Sequence, residues 1–192
     1  EISTPRGAGS PAEAAKALPA AAAADPAPVG EVTDVKKTSD VIIRSFGNTG
    51  LRFPILGIGT IWFGRPWPVK TSYIYPEFEE VRDYLDSAFR AVDGSDGALM
   101  IDTAAAYGMT EEVIGRYFRE RPELLQKVFI ATKWGENWYR VRDSSTLRHS
   151  KKRLIDSVKR SLKRLGRIDL LYIHGTTIEA LRDKEVMEEM RR

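Results

Sequence analysis

The sequence predicts a parallel α/β fold assembled from successive β/α units, and three observations support this. Four short apolar runs, at 54–60, 98–102, 128–133 and 169–174, read as strands, and runs this continuously apolar suit parallel strands covered on both faces. Segments with apolar residues at helical spacing alternate with them, and the crossovers are long enough for right-handed parallel connections. Three of the runs finish on an ionisable side chain, namely Asp102, Lys133 and His174. The C-terminal ends of parallel strands share one edge, so groups far apart in sequence converge there. Periodicity alone fits an open sheet as well as a closed barrel.

Residues 1–40 are Ala-rich, punctuated by Pro11, Pro19, Pro26 and Pro28, and short of large apolar side chains. They read as a tail, linker or targeting leader that becomes ordered only along a protein partner. A leader of this composition suggests an organelle, a chloroplast before a mitochondrion, with the cytoplasm as the alternative. The folded region spans 41–192. It opens on a hairpin turning at Gly47-Asn-Thr-Gly50, followed by a first strand whose Gly57 and Gly59 mark a close approach of backbone or ligand. An aromatic loop, 62–67, comes next and serves either as a lid or as packing. A helix over 77–92 buries Phe78, Val81, Leu85, Ala88, Phe89 and Val92, and 93–97 turns into the second strand.

Gly108 breaks the chain after that strand. Thr110 is placed to cap a helix over 111–119, whose first acids suit its positive end. Beyond the third strand, 134–149 reads as a long polar-aromatic loop. Ser150 caps the next helix, which carries Leu154, Ile155, Val158, Leu162 and Leu165 as its stripe and Gly166 as its C-terminal cap. A fourth helix spans 178–192.

Composition removes several functions. The 192 residues carry a net charge of only +3 and no recognised nucleic-acid motif, so nucleic acid is not an expected partner. With no cysteine and two histidines there is no thiolate chemistry and no His-rich metal centre. No apolar run reaches the roughly 18 residues of a transmembrane helix. The basic residues of 151–164 read as a solvated helix face, with peripheral contact to anionic lipid or an acidic protein as the other reading.

Singly, Asp102, Tyr107, Lys133 and His174 each have a bland explanation: a turn former, a packing ring, a snorkelling lysine, a core histidine. Together they suggest chemistry. A lysine ending a buried strand needs a partner, and Asp102 is at hand. A cation beside a tyrosine favours phenolate, which suits a phenol that passes its proton to a carbonyl oxygen gaining charge.

The motifs extend this. Phe46-Gly-Asn-Thr-Gly-Leu51 with Leu56-Gly-Ile-Gly-Thr60, then Ile101-Asp-Thr-Ala-Ala-Ala-Tyr107 running on to Gly115, Ile130-Ala-Thr-Lys133, and Arg160-Ser-Leu through Ile173-His174 occur in that order. Over residues 44–192 the sequence resembles the aldo-keto reductases. The resemblance implies a (β/α)8 TIM barrel, of which this chain supplies the N-terminal half as four βα units, and NADPH as cofactor. Tyr107 would be the general acid, with Lys133 lowering its pKa, Asp102 pairing with Lys133, and His174 polarising and orienting a small carbonyl substrate. Gly59 and Thr60 would line the nicotinamide end, and Trp62 and Trp134 would stand near the substrate. The residues that grip the nicotinamide amide, stack on its ring and hold the 2′-phosphate would belong to the other half. The expected function is NADPH-dependent reduction of an aldehyde or ketone. The alternative is a non-catalytic subunit of a large organellar assembly, photosynthetic or respiratory, held through its tail and open half-barrel.

Overall fold

The computed structural model describes residues 41–66, 74–139 and 144–192. The tail at 1–40 and Trp67 of the aromatic loop lie outside these residues. Strands β1 (Ile43–Ser45) and β2 (Arg52–Pro54) form the expected antiparallel hairpin. Its turn contains Gly47 at φ 54° and Gly50 at φ 76°, values that favour glycine. The hairpin seals the N-terminal end of the main sheet. Phe53 packs edge-on against Phe129 at 4.9 Å, and the Ala98 N–H donates to the Arg52 carbonyl at 3.0 Å.

The first parallel strand is much shorter than its apolar run. β3 is Ile58–Gly59 alone, because Pro54 ends β2 and Ile55 and Leu56 stand 57% and 78% exposed. Gly57 makes the expected close approach: a Cβ there would lie 3.1 Å from the Met100 carbonyl oxygen. At Gly59 an added Cβ would meet nothing within 4 Å. A short 3-10 turn, Ile61–Phe63, leads towards α1 (Phe78–Val92), which buries Val81, Leu85, Phe89 and Val92. The Glu80 carboxylate accepts from the Glu77 N–H at 2.8 Å and so satisfies a donor ahead of the first turn.

β4 (Leu99–Asp102) and α2 (Thr110–Glu120) follow. Thr110 is the first helical residue rather than the cap, and its hydroxyl donates backwards to the Tyr107 carbonyl at 2.6 Å. After β5 (Val128–Trp134), the stretch expected to be a loop contains a second antiparallel hairpin, β6 (Glu136–Tyr139) with β7 (Ser144–Leu147). Its strands alternate Asn, Trp, Ser and Thr, too polar on both faces to stand out as strands.

Ser150 occupies the cap position of α3 (Lys151–Leu165) without a side-chain bond, while Gly166 closes the helix in the left-handed conformation at φ 79°. The buried face of α3 is rotated from the apolar stripe: Leu162 is exposed, whereas Ser157 and Ser161 are buried beside Leu154 and Leu165. β8 (Leu170–Ile173) completes the parallel sheet, in the order β3-β4-β5-β8. The expected last helix is two, α4 (Ile178–Arg182) and α5 (Lys184–Met190), split at Asp183. The Asp183 backbone is extended, and its carboxylate accepts from the Val186 N–H to start α5. Among the described residues no helix is long and apolar enough to cross a membrane.

Strand side chains alternate between two faces. Ile58, Leu99, Ile101, Val128 and Ile130 point to the helices and share one core with Leu85, Ile114, Tyr117 and Leu165. A second cluster joins Trp134, Leu154 and Val186, with Leu171 and Ile173 packed against it. The other parity, which includes Asp102 and Lys133, faces away from the helices. Two contacts bind α2 to its neighbours. Glu111, only 1% exposed, accepts from Thr132 Oγ1 at 2.8 Å and pairs with Arg164 at 3.3 Å. Gly115 lies so close to α3 that a Cβ would stand 1.7 Å from the Arg164 carbonyl oxygen. Neither backbone has room to yield, so Gly115→Ala should cost about 1–3 kcal/mol or more, read as a drop of several degrees in melting temperature. Gly59→Ala, entering open space, is the control and should melt with the parent chain. An unchanged melt for Gly115→Ala would mean that α2 and α3 do not approach this closely.

Candidate functional site

The site is built at the C-terminal edge of the sheet by a difference in strand length. Asp102 is the last residue of β4 and sits opposite Ala131, so β5 runs on past it and brings Lys133 above the Asp102 carboxylate. Backbone bonds extend the alignment beyond the strand end, from the Thr103 N–H to the Ala131 carbonyl at 2.8 Å and from the Ala105 N–H to the Lys133 carbonyl at 3.3 Å. The chain then turns, the Tyr107 N–H bonding the Ala104 carbonyl at 2.9 Å. Gly108, at φ 65°, rests against the 3-10 turn so tightly that a Cβ would lie 2.0 Å from the Gly64 carbonyl oxygen. That approach fixes where Tyr107 stands.

The Lys133 side chain is only 17% exposed. Its ammonium donates to Asp102 Oδ2 at 2.7 Å, to the Thr103 carbonyl at 3.0 Å and to Tyr107 Oη at 3.1 Å. An ammonium has three donors, and all three are engaged. Its nitrogen also lies 4.7 Å from the centre of the Tyr107 ring. His174 follows β8, held by its N–H to the Trp134 carbonyl at 2.7 Å, and meets the Tyr107 ring edge-on at 5.9 Å. The structure therefore brings all four sequence-identified groups together.

Behind His174 lies a second charged network that the sequence did not disclose. Glu136 Oε2 stands 3.1 Å from His174 Nδ1, an approach not aligned as a hydrogen bond, and that nitrogen is buried. Glu136 Oε1 accepts from Arg65 Nη1 at 2.8 Å and from the Ser145 hydroxyl. Arg65, 5% exposed, also donates to the Ala106 carbonyl at 3.2 Å and to Ser145 Oγ at 2.9 Å. Burial alone would raise the Glu136 pKa; hydrogen bonds from Ser145 and Arg65, with the charges of His174 and Arg65, outweigh it and hold the group below its ordinary value. Burial lowers the His174 pKa, and the cations of Lys133 and Arg65 lower it further against the opposing pull of Glu136 and Asp102.

The remaining sequence assignments fare differently. Gly59 lies beside Asp102 with open space where a side chain would be. Thr60 is fully buried and its hydroxyl donates to the Asp102 carbonyl at 2.9 Å, so it ties β3 to β4 and has no free donor for a cofactor. Trp134, expected near a substrate, does not face these four groups. It is 1% exposed on the helix side of the sheet, its indole N–H directed at Met190 Sδ at 3.1 Å. The parity of β5 requires this, since Lys133 and Trp134 are adjacent and must face opposite ways. Trp62 lines a cavity of about 440 Å³ with Phe63, Ile74, Tyr75 and Tyr84, and none of the four catalytic candidates lines it.

Both depressed groups set the acid response. A folded-state pKa below the unfolded value means that stability is full above the ordinary value and is lost as pH falls through the folded one. His174 should begin the loss below about its ordinary 6.5, and Glu136 should continue it below about 4.5. Melting temperature should thus fall from pH 7 to pH 5, and His174→Gln should flatten that limb. A limb of unchanged slope in the variant would assign the loss to other groups.

Comparison with known proteins assigns the chain to a family. The profile of the Aldo/keto reductase family matches residues 55–190. Two solved structures of proteins from Pseudomonas aeruginosa, described as aldo-keto reductases, are 34% and 33% identical, with TM-scores of 0.62 and 0.61. They match 78% of this chain over 54% and 53% of their own. An aldo-keto reductase of Bacillus halodurans in its holo form is 26% identical, with a TM-score of 0.60 over 79% of this chain and 45% of its own. A search of curated proteins found no match. The chain spans about half the length of these solved structures, which corresponds to a partial TIM barrel. It belongs to the aldo/keto reductase family.

Proposed function

We propose that the chain carries the catalytic groups of an NADPH-dependent oxidoreductase that reduces an aldehyde or ketone. The observation behind this is the Lys133 ammonium, which joins the Asp102 carboxylate at 2.7 Å to the Tyr107 phenol at 3.1 Å. Because Tyr107 Oη accepts from Lys133, its own proton is left for a ligand. A carbonyl oxygen beside Tyr107 takes that proton as it gains negative charge, and Lys133 stabilises the phenolate that remains. Asp102 holds Lys133 in place, and His174, edge-on to the phenol, orients the carbonyl. NADPH, when bound, supplies the hydride. Gly59 fits its nicotinamide end, since the space beside Asp102 is open there. The reading concerns a complete barrel, in which the rest of the cofactor grip comes from outside this half.

Removing the phenolic proton removes the acid. Tyr107→Phe should lower NADPH-dependent reduction of an aldehyde panel by about 10²-fold or more, while NADPH binding, followed by its fluorescence, stays intact. Turnover equal to the parent protein would overturn the assignment. Failure to bind NADPH, together with isolation in a large assembly, would instead favour the non-catalytic subunit.

A further inference from the structure

We propose that the cavity between the second hairpin and α3 binds a small phosphate monoester, at a place separate from the four groups of the sheet edge. Its volume is about 280 Å³, near the lower end of small-molecule sites, which run from roughly 300 to 1,000 Å³. The lining is cationic. Arg148 follows β7, while Arg153 and Arg160 stand about two turns apart on α3. Asn137 of β6 and Ser157 of α3 join them. Strand parity explains Asn137: Glu136 faces His174, so its neighbour is turned the other way, to the cavity.

The polar groups of this cavity are left without partners. Among the described residues, the side chains of Arg148, Arg153, Arg160, Asn137 and Ser157 make no hydrogen bond or ion pair. Ser157 is only 6% exposed, and a hydroxyl withdrawn from water without a partner is costly. Other cations of α3 are matched within the fold, Lys151 by Glu189 and Arg164 by Glu111 and Glu112. The one acid in the lining, Asp156, accepts from Lys152 at 2.7 Å. That bond, with the charges of Lys152, Arg160 and Lys159, holds its pKa below the ordinary value, so it stays ionised and offsets Lys152. Four cations and one carboxylate leave the cavity a net charge of +3. The first turn of α3 holds no acid, so the positive end of the helix adds to this field.

The donors select the ligand. A guanidinium presents paired N–H groups that match two oxygens of a phosphate, and three guanidiniums suit a dianion with three terminal oxygens. Asn137 and Ser157 can both donate and accept, which suits hydroxyls on the body of the ligand. The volume leaves room for a phosphate and a few carbon atoms. None of this depends on the reductase reading.

Glycerol 3-phosphate is the probe, followed by calorimetric titration and by melting temperature, with potassium chloride at equal ionic strength as the reference. The parent chain should bind it at one site and melt several degrees higher than in chloride; no difference from chloride overturns the proposal. Arg153→Gln and Arg160→Gln should each weaken binding by about tenfold or more, and Arg148→Gln should do the same should a helix variant fold poorly. Lys159→Gln removes the same charge from an exposed position of α3 outside the cavity and should bind like the parent. Equal losses in all these variants would mean diffuse attraction to a basic helix and would overturn the site. The same phosphate can arrive on a lipid headgroup, and sedimentation with phosphatidylcholine vesicles containing phosphatidic acid separates the two sources. No vesicle binding leaves the soluble monoester as the ligand, and vesicle binding that glycerol 3-phosphate displaces puts the headgroup in this cavity. Vesicle binding without any response to the free phosphate overturns the proposal.

Discussion

A lysine whose ammonium is enclosed at the end of a sheet must find a partner for every N–H, or the cost of removing it from water goes uncompensated. Lys133 finds its three partners on one stretch, 102–107, and they differ in kind: a carboxylate, a backbone carbonyl and a phenol. Much of the local architecture serves this demand. Thr60 ties β3 to the Asp102 carbonyl, the Ala105 N–H returns to the Lys133 carbonyl, and Gly108 against Gly64 sets the turn that carries Tyr107. Loosening any of these would leave a buried cation short of an acceptor. The electrostatic requirement of Lys133 and the placement of Tyr107 beside it are therefore one constraint.

The second network obeys the same rule with the charges reversed. There the anion is Glu136, and it is enclosed by a guanidinium, a hydroxyl and an imidazole. The two networks touch where the Tyr107 and His174 rings meet at 5.9 Å. Arg65 binds them further, because it donates to Glu136 and also to the Ala106 carbonyl, one residue before Tyr107. A displacement of the β6–β7 hairpin is thus transmitted to both networks.

The sequence showed the fold as far as periodicity and punctuation reach. Apolar runs located β4, β5 and β8, helical spacing located α1, α2 and α3, and glycines marked the first hairpin and the end of α3. It failed where local pattern and tertiary need diverge. The 54–60 run is apolar, yet only Ile58–Gly59 pair, because the preceding residues complete the hairpin. The second hairpin was hidden by polar strands. The grouping of Asp102, Tyr107, Lys133 and His174 was legible because each member ends or follows a strand, a position with meaning in a parallel sheet. Glu136 and Arg65 were not, since each is a single charge among aromatics and they lie 71 residues apart. Trp134 was misplaced for want of one parity argument: once Lys133 faces the site, its neighbour cannot.

Most of these supports are on the helix side of the sheet or in the loops at its C-terminal edge. The helix-side cores are closed by α1, α2, α3 and α5, which bury residues such as Leu85, Ile114, Leu154 and Val186 almost completely. The opposite face is closed mainly at its lower end, where the first hairpin covers Phe129 to 9% exposure, while Tyr172 on β8 remains 41% exposed. Asp102, Tyr107, Lys133 and His174 are thus held by contacts internal to this half of the barrel, whereas the covering of the opposite face is not. Holding these four groups together and covering the open face are then separable properties of the fold. The first is specified by residues between 57 and 174, and the second depends on what meets the open face.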